Sequence, residues 1–229
     1  MDFSGIEKFS LVDFESKVSA TLFFGGCNYR CPFCHNKDLV KNPHLLEKIP
    51  FDEILKFLKS RKSFIDAVVI SGGEPTLMSD LKEKLVQIKE LGFLVKLDSN
   101  GTNPEDLKDL INSHLIDYIA MDIKNSFSKY DLTTDSKVEI DKIKDSISFI
   151  INSGIDHEFR TTVVKEFHTI DDIKEIAATL KGAKKMRIQK FVSNGNCINE
   201  NLHEIDIDTA NLFVSELKKT ISDVSLRGY

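Results

Sequence analysis

The chain has 229 residues, 41% of them hydrophobic and 29% charged, which suits one sizeable globular core and leaves little room for two. A net charge of −5 excludes a strong general pull toward nucleic acid or an anionic membrane. The longest apolar runs, Ala67–Ile70 and Phe149–Ile151, are too short to span a bilayer, and no basic segment followed by an apolar stretch opens the chain, so a cytoplasmic protein is expected.

Residues 1–17 lead into a first strand expected over Val18–Phe24, which runs into a cysteine loop at 25–37. Phe51, Ile54, Leu55 and Leu58 recur at helical spacing. Ala67–Ile70 is a short apolar strand ending at Ser71-Gly72-Gly73, and Leu81, Leu85 and Ile88 mark a helix that stops near Gly92. Phe93–Leu97 is the next strand. Asn103 followed by Pro104 predicts a helix start with an N-cap residue. Ile116–Met121 reads as strand, and Ile140, Ile143, Ile147 and Ile151 as a helical stripe. Glu158–Val164 is a fifth strand; Thr169 caps a helix carrying Ile173, Ile176, Ala177 and Leu180. A sixth strand over Met186–Val192, a helix through Ala210, Phe213, Val214 and Leu217, and a short strand at Val224–Leu226 complete the chain. Strands alternating with helices predict a parallel sheet with right-handed crossovers. About six such units give an α/β fold, a partial (β/α)6 TIM-like barrel in a single domain over residues 1–229, with a doubly wound open sheet as the second arrangement.

Three of the four cysteines fall within eight residues, a clustering that points to metal rather than to a disulfide scaffold. Cys27, Cys31 and Cys34 can wrap one iron–sulfur cube in a compact loop. Three thiolates on four irons leave one iron open, whereas a cluster built only for electron transfer closes that position. A zinc site with His35 as fourth ligand is the plainer alternative, but Cys34 and His35 are adjacent, which makes shared chelation awkward.

Cys27-Asn28-Tyr29-Arg30-Cys31-Pro32-Phe33-Cys34, a CxxxCxxC with an aromatic residue before the last cysteine, resembles the radical S-adenosylmethionine (SAM) signature. Gly72-Gly73-Glu74-Pro75 resembles the GGEP motif of that family, and Asp98-Ser99-Asn100-Gly101 and Met121-Asp122-Ile123-Lys124 resemble its motifs after later strands. Each motif stands where a strand is expected to end, the end at which parallel barrels build their chemistry. Taken by themselves, the residues allow several roles. Gly72 and Gly73 let backbone approach a ligand closely, with Glu74 beside them; the plain alternative is a strand-to-helix turn. Asp98 and Asp122 can hold a cation, bind ribose hydroxyls or anchor Lys124, and a solvated Asp–Lys pair is the plain alternative.

Resemblance to the glycyl-radical activating enzymes implies a [4Fe–4S] cluster on the three cysteines and SAM contacts at Phe33, His35, Gly73, Asp122, Ile123 and Lys124. It also implies a monovalent cation at Asp98, Ser99 and Asp122, and a role for Arg160, placed at the end of the fifth strand. The family's histidine on the sixth strand is not evident here; Gln189 is its nearest substitute. Cys197 sits in a polar loop at 193–197 as a lone cysteine. His44, His114, His157, His168 and His203 lack ligand spacing and read as structural.

Lys8-Phe9-Ser10-Leu11-Val12-Asp13-Phe14, with Phe23-Phe24-Gly25-Gly26-Cys27 and Cys34-His35-Asn36, is similar to the activating enzyme of anaerobic ribonucleoside-triphosphate reductase. That resemblance implies a large glycyl radical enzyme as protein substrate, hydrogen abstraction from its glycine, and a flavodoxin or ferredoxin as electron donor, drawn to Arg30, Lys37 and Lys41. A radical SAM enzyme acting on a small molecule, such as a nucleobase precursor, and a non-enzymatic metal-binding or redox-sensing module are the two alternatives.

Overall fold

The structure, a computed structural model, describes residues 1–193 and 195–229; Asn194, in the polar loop before Cys197, lies outside the described residues. The chain forms two compact units, one of residues 1–28, 38–99 and 103–119, the other of residues 29–37, 100–102 and 120–229.

In chain order the first unit contains β1 (Gly5–Ser10), β2 (Ser19–Phe24), the short helix α1 (Lys37–Lys41), α2 (Phe51–Arg61), β3 (Ala67–Gly72), α3 (Leu81–Glu90), β4 (Leu94–Ser99) and α4 (Pro104–Asn112). β2, β3 and β4 run parallel, with Ser19 opposite Ala67 and Ala67 opposite Leu94. Val68, Val69 and Ile70 are all wholly buried. That explains the unbroken apolar run: a parallel strand covered on both faces needs no alternation. β1 pairs antiparallel with β2 and was not expected. Its residues Glu7, Lys8 and Phe9 are exposed, so it carries neither an apolar run nor a clean period of two. Asp117 ties elements together locally: its carboxylate accepts from Lys89 Nζ at 2.7 and 2.8 Å and from the Val95 amide at 2.7 Å. At α4 the sequence expectation needs correction. Pro104 does open the helix, but the Asn103 side chain makes no cap hydrogen bond; its Nδ2 donates to Thr76 Oγ1 at 2.8 Å instead.

β5 (Tyr118–Asp122) leads into the second unit, which holds α5 (Tyr130–Thr134), α6 (Ile140–Asn152), β6 (Asp156–Val163), α7 (Ile170–Thr179), β7 (Lys185–Lys190), α8 (Ile207–Leu217) and β8 (Asp223–Arg227). β6, β7 and β8 are parallel, with Phe159 opposite Met186 and Met186 opposite Val224. A buried ionic ladder crosses them. Glu158, 1% exposed, accepts from both terminal nitrogens of Arg227 at 3.0 and 2.8 Å, and Arg187 forks onto Asp223 at 2.7 and 2.9 Å. Among the described residues no helix is long and apolar enough to cross a membrane.

Thr169 caps α7 as expected, within a reciprocal capping box closed by Asp172. Asp172 does more than cap. Its buried carboxylate also accepts from Ser126 Oγ at 2.8 Å and Lys129 Nζ at 2.6 Å. Burial alone would raise its pKa; the hydrogen bonds from Lys129, Thr169 and Ser126 outweigh that and bring it to about 2 from 3.8. A carboxyl depressed in the folded state stabilises it above its unfolded pKa and loses that contribution as pH falls through the folded value. Asp172→Asn should therefore cost about 2 kcal/mol at neutral pH. Urea titrations between about pH 4 and pH 2 should show the wild type losing stability more steeply than the variant; parallel curves would refute this.

Candidate functional site

In the first unit the site residues follow the ends of β2, β3 and β4. Cys27 is half-buried just after the Gly25-Gly26 pair that follows β2. The Gly73 amide donates to Phe24 O and the Glu74 amide to Gly26 O, both at 2.8 Å. Backbone here lies directly on backbone: a Cβ at Gly73 would stand 1.9 Å from Gly26 O, and Gly72, with φ of +113°, would put one 2.4 Å from Phe24 O. The glycine pair is thus demanded by the packing of two strand ends, beside any use it has toward a ligand.

Glu74 is wholly buried. Its Oε1 accepts from the Thr76 amide at 3.2 Å, Thr76 Oγ1 at 2.6 Å and Ser99 Oγ at 2.9 Å, which caps the single turn at Pro75–Leu77. Asp98 accepts from Ser71 Oγ at 2.8 Å, and Lys96 Nζ stands 3.6 Å from its other oxygen. Lys96 is 4% exposed, donates to Asp13 O at 2.5 Å and lies over the Tyr118 ring. Sequence reasoning passed over this lysine. Its signal was a charge inside the apolar run of β4, two residues from Asp98 and so on the same face of the strand.

In the second unit the rest of the cysteine loop is anchored at several points. The Arg30 amide donates to Thr134 O, the Cys34 amide to Cys31 O, and the Asn199 amide to Pro32 O, at 2.9, 2.9 and 2.8 Å. Cys31 is buried and Cys34 half-buried. Phe33 packs against Phe167 at 6.3 Å, while His35 stacks on Phe191 and its Nε2 bonds Val192 O at 2.8 Å. His35 thus braces the loop through its ring. Burial raises the Cys34 pKa, opposed by the Asn36 amide and the Lys124 charge. Among the described residues no three His, Cys, Asp or Glu side chains gather around one ion-sized point. An iron–sulfur cube asks for a different donor set, since each thiolate binds its own iron, and three cysteines within eight residues supply it.

Asp122, at the end of β5, accepts from Arg160 Nε at 2.8 Å through one oxygen and from Lys124 Nζ at 3.0 Å through the other. Burial pushes its pKa up, but the Arg160 and Lys124 charges prevail and hold it at about 2. Lys124, opposed by burial and favoured most by Asp122, stays protonated far above the lysine range. One carboxylate serves two cations, an arrangement suited to a ligand carboxylate. Arg160 lies within β6 rather than at its end, and its carbonyl accepts from the Ile123 amide at 2.8 Å. Ile123 is buried and its carbonyl accepts from Thr161 Oγ1 at 2.8 Å.

Gln189 stands opposite Thr162 across β6 and β7. Cys197 is buried, its amide on Glu200 at 2.6 Å and its thiol 3.7 Å from Val192 O. His157 bonds backbone at Ile155 and Lys184, and His203 pairs with Glu166. His168 is not merely structural filler: with Tyr130 it bonds the backbone of Lys124. Neither residue belongs to a motif, and nothing in their spacing marked them.

The profile of the Radical SAM superfamily matches residues 21–180. A protein of Methanocaldococcus jannaschii carrying the provisional name glycyl-radical enzyme activating enzyme MJ1227 is 41% identical over 196 residues, covering 82% of this chain and 79% of its own. The pyruvate formate-lyase-activating enzyme of Staphylococcus aureus is 34% identical over 115 residues, 45% of each chain. Among solved structures, SuiB of Streptococcus suis bound to S-adenosylmethionine superposes with a TM-score of 0.69 at 16% identity over 91% of this chain and 52% of that one. The chain thus spans about half the length of that structure. At such identity the likeness gives the fold: the partial, mostly parallel α/β barrel expected from the strand–helix alternation.

If the glycine pair exists for backbone packing, Gly73→Ala should fail even without any ligand. Its thermal midpoint in the metal-free chain should drop by at least about 4 °C, the shift expected for a cost of at least about 2 kcal/mol. An unchanged midpoint would mean that the contact yields freely.

Proposed function

The chain belongs to the radical SAM superfamily, and on that premise we propose that it is an activase that abstracts hydrogen from a glycine of a large glycyl radical enzyme. The proposed partner is anaerobic ribonucleoside-triphosphate reductase, from the resemblance of the N-terminal run and the cysteine loop. The observation that carries the reading is the set of three cysteines, Cys27, Cys31 and Cys34, within eight residues, inside the segment that matches the family.

When bound and reduced, a [4Fe–4S] cluster supplies the electron that cleaves SAM. The chain's own part is to hold and orient. Cys27, Cys31 and Cys34 would hold that cluster, and with no fourth cysteine in the loop they would leave a position for SAM. Lys124 and Arg160, gathered on Asp122, offer positive charge to the SAM carboxylate, and Phe33, His35 and Ile123 line the same segment. Gly72, Gly73 and Glu74 are assigned to the SAM amino group, from the resemblance of this turn to the family's GGEP motif. Asp98 and Ser99 are assigned to the ribose or to a monovalent cation. Such positioning is the principal task, because a radical held beside one C–H bond is selective only through geometry. Arg30, Lys37 and Lys41 form the docking point for a flavodoxin or ferredoxin, and the protein works in the cytoplasm as one radical SAM domain.

The test is anaerobic reconstitution followed by electron paramagnetic resonance. The reduced cluster signal should change when SAM is added, and Cys27→Ala, Cys31→Ala and Cys34→Ala should each lower SAM cleavage by more than about 100-fold. Incubation with the reductase and SAM should then produce a glycyl-radical doublet. SAM cleavage without the doublet rejects the partner, and a cluster signal that ignores SAM rejects the enzyme.

A further inference from the structure

We infer that His168 is a positioning residue for Lys124, working as one half of a buried clasp made with its neighbour Phe167. His168 is 4% exposed and lies in the loop between β6 and α7. Its Nε2 faces the Lys124 carbonyl at 2.9 Å and so carries a proton and donates, while its Nδ1 accepts from the Val164 amide at 3.0 Å, with Val164 O 3.3 Å away. The other backbone group of Lys124 is also held: its amide donates to the hydroxyl of wholly buried Tyr130 at 3.2 Å. The next residue along, Asn125, donates to Phe167 O at 3.0 Å and to Thr133 Oγ1 at 2.8 Å. Phe167 meanwhile packs its ring on Phe33 of the cysteine loop.

Two adjacent side chains outside every motif therefore fix two segments at once. Phe167 backs the cysteine loop, and His168 fixes the carbonyl of the residue whose ammonium bonds Asp122 and whose charge reaches Cys34. Lys124 has the peptide before it held through its N–H and the peptide after it held through its C=O, so its backbone torsions have little freedom and its side chain leaves the backbone in one direction. Released from His168, the peptide can turn and the ammonium loses its aim, although its charge remains.

This inference rests on the reading of Lys124 as a SAM contact, and its test separates the two. Wild type, His168→Gln and His168→Met are reconstituted anaerobically in parallel. Iron and sulfide content, thermal midpoint, SAM dissociation constant and the SAM-induced change in the cluster signal are measured for each. Glutamine retains a donor for Lys124 O, whereas methionine fills the space without one. The expected result is SAM affinity about tenfold weaker in His168→Met and close to wild type in His168→Gln, at similar cluster content and midpoint. Affinity in His168→Met equal to wild type, or equal losses in both variants that track their midpoints, overturns the inference and leaves the family reading standing. A wild type that takes up a cluster but no SAM overturns both.

Discussion

The carboxylate of Asp122 is the pivot of the second unit. It ends β5, fixes Arg160 of β6 through one oxygen and fixes Lys124 of the following loop through the other. Removing charges from water is costly, and the cost is recovered only where the geometry is good and further hydrogen bonds complete the set. Here completion comes from backbone: the Ile123 amide meets Arg160 O, and Thr161 Oγ1 meets Ile123 O. The ion pairs and the strand pairing therefore hold each other in place, and neither can shift alone.

In the first unit the equivalent constraint is backbone contact rather than charge. β2 and β3 end within hydrogen-bonding distance of one another, with Gly73 and Glu74 donating to Phe24 and Gly26. That closeness brings the chain just before Cys27 under the control of the Gly-Gly-Glu turn. Glu74, sealed by Thr76 and Ser99, keeps the turn from relaxing outward. The motif is a structural rivet in its own right, and that role does not compete with the proposed contact to a ligand.

Much of this was legible in the sequence, for physical reasons that differ from element to element. β3 announced itself because a strand buried on both faces needs an uninterrupted apolar run. The α7 start was visible because Thr169 caps by a local hydrogen bond. The cysteine loop was visible because thiolate spacing is itself the chemistry. β1 was hidden because its middle residues face solvent. Asn103 misled because its amide found a better partner in Thr76, a contact 27 residues away in sequence. Lys96 and His168 were hidden for the same reason: their meaning lies in what surrounds them. A buried lysine beside Asp98 and a buried imidazole beside Lys124 O are facts of packing; local pattern marks the first only as a charge within an apolar run, and the second not at all.

His168 also shows why a neutral imidazole suits a permanent brace. Burial lowers its pKa against the opposing pull of the Lys124 and Val164 backbone, so the ring stays uncharged. A neutral ring has one acceptor and one donor, and both are engaged: Nδ1 receives the Val164 amide and Nε2 gives to the Lys124 carbonyl. Protonation of Nδ1 would set N–H against the Val164 amide and place a charge in a buried position, which outweighs the pull of Asp172 toward the charged form. The Lys124 carbonyl thus selects the tautomer with its proton on Nε2, and burial favours that neutral ring. A neutral ring held at both nitrogens ties the loop after β6 to the residue that follows Ile123 by hydrogen bonds alone, without adding a charge beside Asp122 and Lys124.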